Sequence, residues 1–583
     1  MQNLYTLIRN WHLPARIKGS LFRFSKLEWR IFFVFCIALI ISTFGLLQEL
    51  NKSFMTDVPM RGGSISEGIL GTPRFINPVL ASSDADRDLV SLVYSGLMRK
   101  GPDGNLMPDL AESYQVSEDG LSYTFVLRDK IFFHDNTPVT ADDVLFTVTS
   151  AKDPVLKSPR KASWDGVAVE KINEKTVTFT LKQPYVSFLE NTTMGIMPNH
   201  IWQGSPIELN TANMQPVGTG PFMVTDTQKE STGIISTLQL KSFDKFALGK
   251  PYLSGINLKF YQREEDLISA LTEGNIDQAS SMSPEEALTL RERGFEIKSL
   301  LLPRVFGLFF NQNQNQIFTD KSIVKAINTV VDKEAIVNEV LSGYGAPIDD
   351  PLPPTTPEYY KISGNHSISR EERLEKATSI LSAAGWVKNE SGILNKTTVD
   401  KNKKKTVEQV SFSISTGNAP ELAQSAEKIA ADLRTLGMNV DIKTFEIGNL
   451  NQIVIRPRKY DSLFFGEIIN HESDLFAFWH SSQRKDPGLN VAMYANPKVD
   501  KILEDAFVAT SKEARVKKYA EFEEEIKKDQ PAVFVYSPSF IYVVSKELKG
   551  FALDHITLPS DRFLNSYQWY VKVDHVWRIF APK

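Results

Sequence analysis

The chain has 583 residues, which is enough for roughly three or four domains of about 150 residues each. Hydrophobic residues make up 42% of it and charged residues 23%, and the net charge of -4 argues against a nucleic-acid partner, since phosphate backbones require a strongly basic surface. The single cysteine, Cys36, excludes a disulfide framework and a Cys-rich metal site.

An apolar run dominates the N-terminal region. Residues 31–47 read IFFVFCIALIISTFGLL and carry no charge, and as a helix they span about 25 Å, just enough to cross a bilayer. Basic residues outnumber acidic ones before the run. The positive-inside rule therefore predicts a cytoplasmic basic segment over 1–30, a transmembrane helix over 31–47, a tether over 48–60 and an extracytoplasmic remainder.

A secretory signal has the same charged-then-apolar pattern. No small-x-small cleavage site follows the run, and Cys36 lies inside it after Phe35, where a lipoprotein signal does not place its cysteine. We therefore favour an uncleaved anchor in the cell membrane, single-pass, with cleavage as the alternative. A new N terminus after Leu47 in membrane-fraction protein would contradict the anchor.

Strands and helices alternate through the next part of the chain. Apolar residues at every second position predict half-buried strands within 122–133 and 175–182. Thr140, with Asp143 three residues later, predicts a capped helix. The run Pro216–Phe222 (PVGTGPF) combines two prolines and two glycines and predicts a rigid connection with free amides.

Further along, Ser283-Pro284 predicts a helix start, and the pattern over 321–340 predicts one long amphipathic helix. Residues 409–446 give the clearest fold signal: a strand, a helix stopped by Gly437 and a second strand. This order predicts a right-handed βαβ unit with a parallel strand pair. A late apolar strand follows over 532–544.

The sequence contains no enzyme constellation above chance. It has no Gly-x-Ser-x-Gly elbow, phosphate loop or dinucleotide fingerprint, and His471-Glu472 lacks the second histidine of a zinc-protease helix. His471 and His480 could form a metal pair, but a place in a loop or at a cleft edge is the simpler interpretation. The aromatic and polar tract over 464–494 is typical of a ligand cleft, although its aromatic residues also suit a helix core.

The order of motifs from Arg61 onward resembles the family 5 extracellular solute-binding proteins, the peptide-binding receptors of bacterial ABC importers. No single motif is specific, but the combination is, and it covers nearly the whole chain after residue 60. The matching pieces are Arg61-Gly62-Gly63, Asn77-Pro78, 94–97 (YSGL), 109–114 (DLAESY), 133–135 (FHD), 138–144 (PVTADDV), 216–222, 318–320 (FTD), 331–333 (VDK), 343–345 (GYG) and 384–386 (AGW).

The resemblance implies an α/β, two-lobed periplasmic-binding-protein-like clamshell (class II type, three segments) behind the N-terminal transmembrane helix. Lobe I is expected over 61–94, 216–300 and 526–583, an insert subdomain of this lobe over 95–215, and lobe II over 301–525. The stretch Pro216–Phe222 is then expected where the chain re-enters the first lobe beside the hinge, as a rigid inter-lobe return.

The family also implies a binding role without catalysis, cofactor or metal. Its peptide-binding members close their lobes around an extended peptide and present it to a permease and its ATPase. In the family an aspartate before an Asp-Pro or Glu-Pro element holds the ligand ammonium. Here that proline is absent, which puts peptide specificity in doubt. The candidates for the acid are Glu467 (first choice), Glu472 and Asp474, and position alone suggests the cleft residues Asn311, Trp479, Ser481 and Asn490.

Two other functions stay open at this point. One is a membrane-anchored surface sensor or binding protein for another solute, such as a metal chelate or a sugar, that is not coupled to transport. A permease and an ATPase encoded beside it would speak against this function. The other is an extracellular hydrolase that uses cleft acids, and peptide fragments after incubation with the purified domain would favour it.

Overall fold

The computed structural model describes residues 25–184, 187–355, 368–399, 405–469, 474–509 and 511–581. The chain forms two compact units. One unit holds the N-terminal segment up to Met60 together with the C-terminal residues from Lys572, and the other holds everything from Arg61 to Val571.

The strands are β1 Met55–Met60, β2 Ser64–Leu70, β3 Met98–Lys100, β4 Leu106–Pro108, β5 Ala111–Val116, β6 Ser122–Leu127, β7 Ala168–Asn173, β8 Thr176–Thr180, β9 Phe222–Lys229, β10 Ile235–Ser242, β11 Gly255–Tyr261, β12 Gln278–Ser280, β13 Glu296–Leu301, β14 Arg304–Phe310, β15 Gly345–Pro347, β16 Val387–Lys388, β17 Leu394–Val399, β18 Lys405–Gln409, β19 Ser411–Gly417, β20 Asn439–Phe445, β21 Ser462–Ile468, β22 Ala532–Val544 and β23 Lys572–Trp577. The α-helices of six or more residues are α1 Lys26–Phe54, α2 Asp84–Val93, α3 Ala141–Lys152, α4 Glu264–Thr272, α5 Pro284–Glu292, α6 Lys321–Val330, α7 Lys333–Glu339, α8 Arg370–Ala383, α9 Pro420–Leu436, α10 Asp474–Trp479, α11 Pro497–Val508 and α12 Lys512–Asp529.

The smaller unit is built on α1. Ser25 caps this helix, because its hydroxyl accepts from the Glu28 N–H while the Glu28 carboxylate accepts from the Ser25 N–H. The helix is long and apolar enough to cross a membrane, and it continues to Phe54. β1 follows directly and pairs antiparallel with β23. The tether expected over 48–60 is therefore helix and strand; a local pattern could not reveal this, since the partner strand comes from the other end of the chain.

A continuous mixed sheet runs through the larger unit in the order β20-β19-β21-β14-β22-β12-β2-β11-β10-β9. On the first-lobe side, β2 pairs parallel with β11 and β12, while β9, β10 and β11 form an antiparallel meander. On the second-lobe side, β19 pairs parallel with β20 and β21, and β14 pairs antiparallel with β21 and β22. Helices against such a sheet give the expected α/β class.

Two neighbouring crossings connect the lobes. The chain passes from β13 to β14 through Leu302 and Pro303, and β22 belongs to both lobes, since residues 532–536 pair with β14 and 539–544 with β13. Tyr519 and Phe522 of α12 pack into the same core as Phe309 and Leu463.

The βαβ unit is confirmed. β19, α9 and β20 follow the predicted order, the two strands are parallel in register, and Gly437 ends α9 in a left-handed conformation with φ 96°. Alternate residues of this half of the sheet face two separate cores. Leu308 and Phe464 pack on the α9 side, whereas Phe309 and Leu463 pack on the side of α11 and α12.

The insert contains the sheet β5-β6-β8-β7 and helix α3. The predicted strands are confirmed there: Phe125 and Phe179 are fully buried in the cluster that also forms the first-lobe core. The predicted helix cap is present as well, since the Asp143 carboxylate accepts from the Thr140 N–H at 2.8 Å.

The predicted helix over 321–340 is wrong as a single element. The chain becomes extended at Val331 (ψ 121°), and Asp332 caps α7 by accepting from the Ala335 N–H at 2.9 Å. The capping carboxylate stabilises a second helix start at a position where the apolar periodicity alone continues.

The stretch Pro216–Phe222 returns the chain from the insert to β9, so it is not a connection between the two lobes. Its amides are also not free. The Gly220 N–H donates to the Val93 carbonyl at 2.7 Å, and the Gly218 N–H donates to His134 Nδ1 at 3.3 Å. The stretch packs backbone to backbone on the end of α2, since a Cβ on Gly218 would lie 2.0 Å from the Val93 oxygen.

Candidate functional site

A cavity of about 360 Å³ lies beside the hinge and is lined by both lobes. The first lobe contributes Asp84 and residues around α5, the second contributes Arg304, Phe306 and Glu421, and β22 contributes Tyr536. The cavity lies where the two halves of the sheet are joined by the β13–β14 connection and by β22. This place in the fold makes it the candidate ligand site.

Arg304 is the cation of this cavity. It is the first residue of β14, and among the described residues its guanidinium makes no hydrogen bond or ion pair; its Nε is buried without a partner. Burial lowers the pKa of Arg304, with Asp84 raising it and Arg87 lowering it further. A half-buried guanidinium without a bonded partner favours a ligand that brings an anion.

Aromatic side chains form the apolar wall. Phe306 and Tyr536 stack with ring centroids 4.9 Å apart and an interplanar angle of 18°. The hydroxyl of Tyr344 is buried in the same cavity and makes no hydrogen bond to the described residues. Glu421, in the first turn of α9, adds an acid. The cavity thus offers a cation, an acid, a hydroxyl and a stacking surface, which together suit an extended ligand with polar ends.

A second cavity, of about 330 Å³, lies where the first lobe meets its insert. Its walls carry Arg87, Ser91 and Asp561, and one second-lobe residue, Asp474, closes it. Asp474, one of the predicted acids, therefore lines this second cavity and not the cavity that holds Arg304. Glu472 and His471 lie outside the described residues.

Glu467 lies in β21 opposite Val305, facing the core shared with α11 and α12. It is 3% exposed, and among the residues that the structure describes neither of its carboxylate oxygens has a hydrogen-bond partner. Burial raises the pKa of Glu467 well above its usual range. Burial therefore favours the neutral form of this carboxyl over the carboxylate.

The other predicted site residues are bonded inside the second lobe. The Asn490 amide donates to the carbonyls of Trp479, His480 and Tyr494, and Trp479 is fully buried. Ser481 donates to Asp500 at 2.5 Å.

Asn311, also buried, donates to the Arg458 carbonyl at 3.0 Å. Direct contact of any of these four residues with ligand stays a prediction. Among the described residues no group of three metal-binding side chains occurs.

Sequence reasoning missed Arg304, Phe306, Tyr344 and Tyr536 as site residues. Arg304 was detectable in principle, since it is a charge at the start of a strand that is otherwise apolar (RVFGLFF). Tyr536 was not detectable, because it lies in the apolar strand β22, where a side chain is expected in a core. Only the tertiary structure shows that it lines the cavity.

This arrangement defines the class of two-lobed α/β binding proteins. The sequence matches the model of bacterial extracellular solute-binding proteins, family 5, over residues 105–487, and the chain belongs to that family. It is 27% identical over 523 residues to the oligopeptide-binding protein AppA of Bacillus subtilis, covering 88% of this chain and 92% of the relative.

Solved structures agree. AppA in complex with a nonapeptide gives a TM-score of 0.67 at 27% identity, covering 88% of this chain and all of AppA. NikZ from Campylobacter jejuni, in complex with Ni(L-His), gives a TM-score of 0.68 at 26% identity, covering 87% of this chain and 99% of NikZ. Relatives of this chain therefore hold ligands as different as a nonapeptide and a nickel chelate.

Proposed function

We propose that the protein is a membrane-anchored extracytoplasmic receptor that binds an oligopeptide between its lobes and delivers it to an ABC permease and its ATPase. The observation that carries this proposal is the hinge cavity, where Arg304 lacks a bonded partner beside the Phe306–Tyr536 stack. The similarity to AppA, whose solved structure holds a nonapeptide, supports a peptide as the ligand. The receptor itself carries out no catalysis.

In this proposal Arg304 receives a ligand carboxylate, and an acid of the second lobe receives the ammonium. The geometry favours Asp474 for the second role because its side chain lines a cavity. Glu467, the first choice from sequence, is buried, and burial raises its pKa, which opposes the ionised form that would hold an ammonium group.

The helix α1 supplies the anchor of this proposal. Its residues 27–54 are long and apolar enough to span a bilayer. An uncleaved span holds the receptor near its permease and raises the effective concentration of the pair.

Peptide binding to the full-length protein in lipid nanodiscs tests the ligand. Titration calorimetry with a set of free-acid peptides and their C-terminally amidated copies should show binding that weakens on amidation. Loss of a charge-assisted hydrogen bond is worth about 1.5–3 kcal/mol, so R304Q should weaken binding of the free acids by roughly 10- to 100-fold. R456Q, at an arginine that is 62% exposed, is the matched control and should bind normally.

The two candidate acids can be separated in the same assay. D474N should weaken binding of peptides with a free N-terminal ammonium, and acetylated peptides should bind both proteins alike. E467Q should leave affinity unchanged, because the Glu467 side chain is buried towards the core shared with α11 and α12. Loss of binding in E467Q together with normal binding in D474N would reverse this assignment.

Binding of sugars or metal chelates with no response to any peptide would overturn the peptide proposal while leaving the family and the hinge cavity in place.

A further inference from the structure

The C-terminal end of the chain returns to the end of the apolar helix. β23 runs antiparallel to β1, which starts where α1 stops, and Met55 pairs with Trp577. The Trp577 indole Nε1 donates to Asn51 Oδ1 at 2.7 Å, one turn before the helix ends. His575 Nδ1 lies 2.7 Å from Asp57 Oδ1 and adds a second polar contact between the two strands.

The residues at this end are unusually apolar for exposed positions. Residues 577–580, which we call the C-terminal apolar segment, read WRIF. Ile579 is 77% exposed and Phe580 is 74% exposed, and Trp577 is 47% exposed although its indole N–H is bonded to the helix. Nothing in the described chain covers these side chains, and an apolar group of this kind marks an interaction surface.

The position of Asn51 in α1 sets the distance between the C-terminal apolar segment and the predicted membrane span. Asn51 lies four residues after Leu47, the last residue of the uncharged run, which is about 6 Å along a helix. The headgroup layer on each side of the hydrocarbon core is about 5–8 Å thick. The antiparallel direction of β23 then brings residues 578–580 to the level of the last turn of α1 or closer to the bilayer.

We propose that the C-terminal apolar segment inserts into the outer headgroup layer of the membrane and forms a second membrane contact beside the helix. This rests on the proposed anchoring of α1. The composition fits that layer, since tryptophan is enriched at membrane interfaces and exposed apolar side chains next to a cation bury well there. Arg578 supplies the cation for lipid phosphate, and it is exposed.

The β1–β23 strand pair connects this membrane contact to the end of α1. A single helix followed by a flexible linker would let the receptor rotate and tilt freely. Here the β1–β23 ladder, together with the Trp577–Asn51 hydrogen bond, joins the C terminus to the helix end. Insertion of Ile579 and Phe580 gives the smaller unit two membrane contacts, the helix α1 and the C-terminal apolar segment.

Depth-dependent fluorescence quenching tests this in the full-length protein in liposomes. The background is C36S, since Cys36 is the sole cysteine. An environment-sensitive dye is placed on I579C, with L209C as matched control because Leu209 is 80% exposed in the other unit. A third reporter, L39C, reports the helix itself. Lipids with a spin label near the headgroup should quench the I579C dye by about twofold or more and leave the L209C dye unquenched.

The outcomes separate the two proposals. Lipid quenching at L39C with I579C no more quenched than L209C would overturn the second contact and leave the anchor. Absence of quenching at L39C would overturn the anchor and the second contact with it. As an independent variant, F580E should reduce the quenching at I579C, whereas L209E should not. Equal quenching in both variants would also overturn the proposal.

Discussion

In its neutral form, His134 holds the stretch 216–222, where the chain passes from the insert to β9. Its Nδ1 accepts from the Gly218 N–H, and its Nε2 donates to the Gly220 carbonyl at 3.1 Å, so both ring nitrogens bond the stretch 216–222. The side chain is 7% exposed and meets the Phe243 ring edge to face. Protonation would place a donor on Nδ1 against the Gly218 amide and a charge in an apolar site.

Burial lowers the pKa of His134 to about 4. The unfolded value is about 6.5, so the unfolded chain binds more protons than the folded chain between these two values. The contribution of His134 to stability is therefore complete above about pH 6.5 and is lost as the pH falls towards 4. At pH 4.5 the loss is about 2.5 kcal/mol, from about 1.36 kcal/mol for each unit of pKa difference.

The comparison of wild type with H134Q isolates this effect, because the other titrating groups are common to both proteins. Urea unfolding followed by tryptophan fluorescence should show that H134Q is less stable at pH 7.5. The difference should shrink by about 2.5 kcal/mol at pH 4.5. L209Q, at a leucine 80% exposed in the same insert, is the control and should show a stability difference that does not change with pH. An equal stability difference for H134Q at both pH values would refute the reasoning.

Two further predictions concern packing and charge. G220A should be destabilised by about 3 kcal/mol or more, because its Cβ would lie 2.5 Å from the Val93 carbonyl carbon and backbone cannot give way. The control G448A, whose Cβ would lie 3.1 Å from a Glu446 carboxylate oxygen, should unfold normally, and equal denaturant midpoints for the two variants would contradict this. R562M should lower the free energy of unfolding, measured with denaturant, by about 3–5 kcal/mol. Arg562 is fully buried, and its removal leaves the carboxylates of Glu67 and Asp88 without their ion pair. A wild-type denaturation midpoint for R562M would show that these ion pairs contribute nothing to stability.

The sequence by itself determined the elements that are specified locally. The βαβ unit over 409–446, the strands around Phe125 and Phe179 and the cap at Ser283 were read correctly because periodicity, capping residues and helix-ending glycines act within a few residues. The combination of motifs also identified the family, since it samples many parts of the chain at once.

Only the tertiary structure revealed the candidate site and the strand pairing in the smaller unit. The pairing of β1 with β23, the crossing inside β22 and the meeting of Arg304 with Tyr536 join residues far apart in sequence. Glu467 shows the same limit of sequence reasoning for a residue that was predicted to lie in the site. Its sequence neighbours resemble a binding tract, but whether a carboxyl faces a cleft or a core depends on which strand lies opposite and which helices cover the sheet, and neither is encoded within reach of a local pattern.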